Sequence, residues 1–251
     1  MTLHEDISNW LKKYLLDNKL ESFIIGVSGG IDSAVVSTLC AITGIKTIVA
    51  IMPIYQNQDE TNRGIEHCRW LLKKYKNVEI LNMNLSSIYN EFVKIVPDEY
   101  NSQLAYANTR ARIRMSTLYL IAGNSNGIVV GTGNKIEDFG VGFFTKYGDG
   151  GVDISPIADL MKSEVFSLAK DMNISPSILN AKPTDGLWND GRTDEDQLGV
   201  SYDDLEWAMN YSGQELNKEQ QHILSIYNEH RKSNLHKMKD IPIYKKNNYK
   251  K

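Results

Sequence analysis

The run Phe23-Ile24-Ile25-Gly26-Val27 is short, apolar and uncharged, and it breaks at Ser28-Gly29-Gly30 just before a helical pattern begins at Ile31. A buried strand that turns through glycines into a helix constrains the fold strongly. It aims several backbone N–H groups at one point, and the helix dipole adds positive potential there. Glycines let a ligand approach the backbone closely and allow unusual φ, and Ser28 and Ser33 can add hydroxyl donors. An acid at position 32 is odd in such a place, because a carboxylate repels phosphate unless a cation lies between them. Mg²⁺, which bridges carboxylates and phosphates, is the economical answer. The plain alternative is an Asp at a helix start, worth ~1 kcal/mol as a cap or dipole partner. The loop has no Gly-Lys-Ser/Thr and no Gly-x-Gly-x-x-Gly, which argues against a P-loop NTPase and a plain dinucleotide-binding dehydrogenase.

The rest of the chain repeats the theme. Residues 7–15 are patterned as an amphipathic opening helix, through Ile7, Trp10, Leu11, Tyr14 and Leu15. Strands are expected at Thr47 to Met52, Val78 to Met83 and Gly127 to Gly131. Helices are expected from Ile31 to Thr43, through Ile65, Cys68, Leu71 and Leu72, and from about Ser102 to Ala122. Alternation of this kind means an α/β fold with a parallel sheet and helices on both faces. It stops after Gly133. Phe139 to Gly151 holds five glycines and no period, so it reads as a loop, glycine-rich enough to serve as a lid. Further helices follow at Met161 to Met172, from Ser175-Pro176, and at Asn217 to Ser233. Thr193-Asp194-Glu195-Asp196 and Ser201-Tyr202-Asp203-Asp204 carry capping-box starts. With no repeat and no Pro/Ser-rich linker, residues 1–251 read as a single domain.

A net charge of -3 gives no basic excess of the kind nucleic-acid binding needs, so no nucleic-acid partner is expected. From Lys237 to Lys251 there are six Lys against one Asp, a basic end that is either solvated or a grip on phosphates. The two cysteines, Cys40 and Cys68, lie in helix-patterned stretches and read as buried thiols. No apolar stretch approaches the ~18 residues of a membrane span, and no signal peptide opens the chain. A cytoplasmic protein without a membrane partner is expected.

The loop Ser28-Gly29-Gly30-Ile31-Asp32-Ser33 resembles the pyrophosphate loop of the N-type ATP pyrophosphatases, which cleave ATP between the α and β phosphates. Further segments narrow the resemblance. Asn108-Thr109-Arg110-Ala111-Arg112-Ile113-Arg114-Met115 is similar to the Asn-x-x-Ala-Arg-x-Arg-Met helix of the NAD synthetase family. Gly131-Thr132-Gly133-Asn134-Lys135-Ile136-Glu137 is similar to its Gly-Thr-x-x-x-x-Glu strand end. Phe143-Phe144-Thr145-Lys146-Tyr147-Gly148-Asp149-Gly150-Gly151-Val152-Asp153 matches its most diagnostic block nearly letter for letter, and Lys182-Pro183-Thr184, Thr193-Asp194-Glu195 and His236-Lys237 follow in order.

The resemblance implies an adenine nucleotide alpha-hydrolase-like, Rossmann-like three-layer fold with extra C-terminal helices. It also implies an ammonia-dependent NAD synthetase, a carbon–nitrogen ligase. ATP would adenylylate the nicotinate carboxylate of deamido-NAD, and ammonia would displace AMP. Gly26, Val27, Ser28, Gly29, Gly30, Ile31, Asp32 and Ser33 would form the ATP loop, with Thr132, Thr184 and Lys162 as further ATP contacts. Asp32 and Glu137 would hold Mg²⁺, and these two with Lys162 form the catalytic set. Arg112, Lys146, Asp153, His236 and Lys237 would bind deamido-NAD, and Phe143 would stack on the nicotinate ring or fill the core. A homodimer is implied too. Alternate helical residues point about 200° apart, so Arg110, Arg112 and Arg114 cannot share one ligand; at least one is structural or serves a dimer mate.

Some family members carry Gly-Thr-Asp-His-Ala-Ala-Glu where this chain has Lys135 and its neighbours, and the stretch Asp240-Ile241-Pro242-Ile243 lacks the usual basic wording. One helix precedes the first strand, so no glutaminase domain is expected, and nitrogen would come as free ammonia or from a partner. The alternatives are another N-type ATP pyrophosphatase, such as a tRNA-modifying thiolase, and a non-catalytic nucleotide sensor. The first calls for catalytic cysteines and a basic face, the second for loss of Asp32 and Glu137.

Overall fold

The structure is a computed structural model, and it describes residues 1–184 and 192–246. Lys250 and Lys251, expected to be solvated, lie outside the described residues. The four strands are β1 (Ser22–Gly26), β2 (Lys46–Ile51), β3 (Val78–Asn82) and β4 (Gly127–Val129), all parallel in the order β3-β2-β1-β4.

Alternation along β1 explains the layering. Phe23 and Ile25 face one side, where they pack with α1 (Leu3–Asp17), α2 (Ile31–Ile42) and α6 (Lys162–Asp171). On that side α3 (Gln58–Lys74) covers β2 and β3 through Cys68 and Leu71. Ile24 faces the other side and meets Ile48, Val129 and Ala122 of α5 (Gln103–Asn124). The result is a sheet between two helical layers. Both cysteines are buried and unbridged.

The chain then builds a second apolar cluster. It joins a π-helical segment, Lys135–Val141, to α8 (Asp194–Leu198), α9 (Tyr202–Met209) and α10 (Lys218–Met238), with α7 (Pro176–Leu179) lying against the first core. Thr193 and Ser201 close the expected capping boxes.

Two features differ from the sequence reading. A further helix, α4 (Ser86–Lys94), stands where none is expected, and it buries no residue in this chain. Phe139 to Val141 are helical rather than loop. Their glycine hides the period, and α10 sustains the turn from outside. Arg231 donates to the Gly140 carbonyl (3.0 Å) and Asn234 to that of Val141 (2.9 Å). The remaining glycine-rich stretch is docked on α5 instead of hanging free. Thr145 is buried and donates its hydroxyl to Asn108 (2.7 Å), and a Cβ at Gly148 would lie 2.9 Å from that of Ala111.

Candidate active site

The strand order reverses between β1 and β4, so the chains leaving their C-terminal ends diverge and leave a crevice between them, the usual ligand position in such sheets. A cavity of about 250 Å³ fills it. One half is apolar, with Met52, Leu118, Val129 and Val152; the other is lined by Ser28, Asp32, Thr132, Glu137 and Thr184.

The loop after β1 is braced from within. Ser33 donates to the Gly30 carbonyl (3.0 Å), lies 3.2 Å from the Ser28 hydroxyl, and accepts from the Ser28 N–H (3.2 Å). Its hydroxyl therefore shapes the loop, whereas Ser28 faces the cavity. Ile31 belongs to the core. Gly29 has φ +93°, and a Cβ there would lie 2.2 Å from the Glu60 carbonyl of α3. Only glycine fits.

Asp32 sits in the first turn of α2, and Glu137 arrives from the π-helical segment; such π turns recur at functional sites. The fully buried Asn134 ties them together. Its side-chain amide donates to Asp32 Oδ1 (3.1 Å), and its Oδ1 accepts from the N–H groups of Ile136 and Glu137 (3.1 Å each). Lys162, the first residue of α6, is 3% exposed and places its Nζ 2.6 Å from Asp32 Oδ2 and 3.0 Å from Glu137 Oε1. The Tyr202 hydroxyl lies 2.6 Å from Glu137 Oε1 and 3.2 Å from Asp194 Oδ2, and its ring lies 4.7 Å from Lys162 Nζ.

This arrangement orders the protons. Burial works against the Lys162 ammonium, but Asp32 and Glu137 overcome it and raise its pKa. Burial likewise opposes the Glu137 carboxylate, yet Lys162 and the Tyr202 hydroxyl hold its pKa below the ordinary value. Burial pushes Asp32 up, Lys162 draws it back, and the Glu137 charge adds to the rise. Beside them Asp138 also lines the cavity, and burial, with Glu137, Asp149 and Asp32 adding, pushes its carboxyl up to about 8.

The expected dinucleotide contacts lie elsewhere. Arg112 donates from Nε and Nη2 to the Lys146 carbonyl (3.4 and 3.3 Å), Lys146 Nζ to the His236 carbonyl (3.1 Å), and Lys237 Nζ to that of Phe144 (2.7 Å). These four residues form one basic cluster against the docked loop, and none lines the cavity. Asp153 joins neither group. It accepts from the Val129 N–H (2.8 Å) and the Tyr119 hydroxyl (2.9 Å), buttressing β4. Phe143 both lines the cavity and packs on the second core. The three arginines of α5 diverge: Arg114 enters the cavity wall and donates to the Met52 carbonyl (2.9 Å), while the Arg110 guanidinium lies 5.7 Å from the Tyr89 ring.

Asn134, Asp138 and Tyr202 are absent from the sequence-derived set. Asn134 and Tyr202 stand inside motifs quoted there, but only as a strand end and a helix start; the contacts that make them matter are tertiary.

A family model described as NAD synthase matches residues 3–251. The NH(3)-dependent NAD(+) synthetase of Alkaliphilus metalliredigens is 40% identical over 204 residues, 79% of this chain and 82% of the relative. Among solved structures, the NMN synthetase from Francisella tularensis superposes with a TM-score of 0.87 at 33% identity, covering 96% of this chain and 97% of that one. The NH3-dependent NAD synthetase from Campylobacter jejuni, in complex with the nitrate ion, gives 0.76 at 26% identity, covering 97% and 98%.

Proposed function

We infer that this chain, which belongs to the NAD synthase family, is an ammonia-dependent ligase that makes NAD from deamido-NAD and ATP. A carboxylate is a poor electrophile. In the first step the nicotinate carboxylate attacks the α-phosphorus of ATP, the bond from that phosphorus to the bridging oxygen breaks, and pyrophosphate leaves with the electron pair. In the second, ammonia attacks the acyl carbon, the bond to AMP breaks, and a proton is lost. Catalysis is then mainly positioning, charge neutralisation and exclusion of water, which would hydrolyse the adenylate.

The observation that carries this reading is the Asp32–Lys162–Glu137 cluster beside the Ser28–Gly30 loop, at the mouth of a cavity with one apolar half. The apolar residues suit adenine, the loop N–H groups suit phosphate, and Lys162 would meet the charge that builds on the departing phosphates. Thr132 and Thr184 offer hydroxyls along the same wall. Mg²⁺ fits the donor set. Asp32 and Glu137 present hard oxygens, and the described residues hold no group of three or more metal-type ligands, so substrate phosphates would complete the shell. When bound, the ion would neutralise phosphate charge.

Arg112, Lys146, His236 and Lys237, which lie outside the cavity lining, suit a substrate gripped at the border of a homodimer. Exposed apolar side chains on α4 and α5, Ile88, Phe92, Leu104 and Leu120 among them, support that assembly. No helix among the described residues is long and apolar enough to cross a membrane. We place the enzyme in the cytoplasm, a single domain fed by free ammonia or by a partner.

The test is one assay with ATP, Mg²⁺, ammonium and deamido-NAD. AMP, pyrophosphate and NAD should appear in equal amounts; ADP in their place would overturn the reading. The closer superposition on an NMN synthetase favours one second reading, in which the acceptor is the nicotinate mononucleotide. The ratio of kcat/KM for the two acceptors decides between them.

A further inference from the structure

Behind the Ser28–Gly30 loop lies a smaller cleft, about 40 Å³, lined by Ser28, Gly30, Arg63, Lys162, Lys182 and Thr184 together with the acids Asp32, Glu60 and Asp194. Three of these residues are cations, but their situations differ. Lys162 is committed to Asp32 and Glu137. Arg63 donates only from Nε, to the Gly29 carbonyl of the loop itself at 3.5 Å. Its two terminal nitrogens make no hydrogen bond or ion pair with another described residue, and neither does the Lys182 ammonium.

The fold puts Arg63 there for a reason. Gly64, next in the chain, packs directly on Gly29: a Cβ added to Gly64 would sit 3.4 Å from the Gly29 N, and one added to Gly29 3.0 Å from the Gly64 N. This backbone-to-backbone seam clamps the second turn of α3 to the phosphate loop and delivers the Arg63 guanidinium to its rim. Lys182 comes from the opposite side, on the strap after α7, two residues before Thr184.

We propose that Arg63 and Lys182 hold the β- and γ-phosphates of ATP and the pyrophosphate they become, in a cleft that adjoins the larger cavity and shares Ser28, Asp32 and Thr184 with it. This rests on the reading of the site as an ATP-cleaving one. Pyrophosphate carries three to four negative charges, and Lys162 divides its charge between Asp32 and Glu137, so further cations beside the loop would add to what Lys162, the backbone dipoles and Mg²⁺ supply. A planar guanidinium matches two phosphate oxygens at once, and an ammonium adds a point charge facing it.

Inorganic pyrophosphate is the probe, titrated into the full-length protein by calorimetry with Mg²⁺ present and used as a product inhibitor against ATP. Arg63→Gln and Lys182→Gln should each weaken pyrophosphate binding about tenfold and the double variant about a hundredfold, since each lost contact of about 1.4 kcal/mol is a factor of ten. The KM for the nicotinate substrate should not move, and Arg63→Lys, which keeps the charge but loses the two-oxygen contact, should recover part of the affinity, which a folding defect would not allow. A double variant that binds pyrophosphate as tightly as the parent overturns the proposal. A parent that binds pyrophosphate through these residues but amidates neither nicotinate acceptor overturns the assigned reaction instead, and leaves this cleft standing.

Discussion

Tyr202 joins the two halves of the site with one hydroxyl, reaching Glu137 at 2.6 Å and Asp194 at 3.2 Å. A hydrogen bond to a charged group contributes roughly 1.5–3 kcal/mol. Tyr202→Phe should therefore lower kcat/KM for ATP by about tenfold to a hundredfold with the fold intact by circular dichroism; unchanged ATP kinetics would mean Glu137 holds its place without the tyrosine. His67 offers a test of a different kind. It is buried on α3, stacked on Trp70, with Nε2 3.0 Å from the Ser37 hydroxyl, and burial lowers its pKa from 6.5 to about 4. Between those values the unfolded chain binds a proton that the folded chain refuses, so stability is full above pH 6.5 and falls as pH drops toward 4. The loss should reach on the order of 3 kcal/mol, at 1.36 kcal/mol per unit. Denaturant melts at pH 7 and pH 4 should show His67→Gln losing less stability across that window than the parent.

At the scale of elements, glycine positions separate conformational cost from contact. Gly29 and Gly44 both have positive φ (+93° and +76°), but a Cβ at Gly29 would strike the Glu60 carbonyl while one at Gly44 meets nothing within 4 Å. Gly44→Ala should cost about 1 kcal/mol of stability and leave turnover alone. Gly29→Ala should cost more and abolish turnover, because it wedges α3 away from the phosphate loop; an active Gly29→Ala enzyme would show that the seam is not needed. The four strands and the glycine turn after β1 were legible in the sequence because apolar runs and glycine turns are local signals. α4 was not, since none of its residues is buried and only Tyr89 packs at the edge of a core cluster, which leaves a weak apolar period. The turn at Phe139 to Val141 was not, since Arg231 and Asn234 of α10 supply its missing support. In the candidate site, quoted motifs single out Asp32 and Glu137, the resemblance implies Lys162, and the structure brings the three together. Asn134 and Tyr202 act only once distant elements meet, and no spacing along the chain records that.

For the whole molecule, the same reasoning turns outward. Leu120 is 75% exposed near the end of α5, and the basic cluster at Lys146 lies outside the cavity lining. If a second copy covers this face, sedimentation should show a dimer that persists on dilution, and Leu120→Glu should shift it toward monomer; a monomeric parent would remove the case for a shared substrate site. Lys162 has a consequence at this scale too. By lying between Asp32 and Glu137 it serves as an internal counter-ion, so the fold should not depend on the Mg²⁺ proposed to bind there. Chelation should then halt turnover while the melting temperature holds, and restored magnesium should bring activity back without refolding. A cell short of magnesium would keep its stock of this enzyme idle rather than lose it.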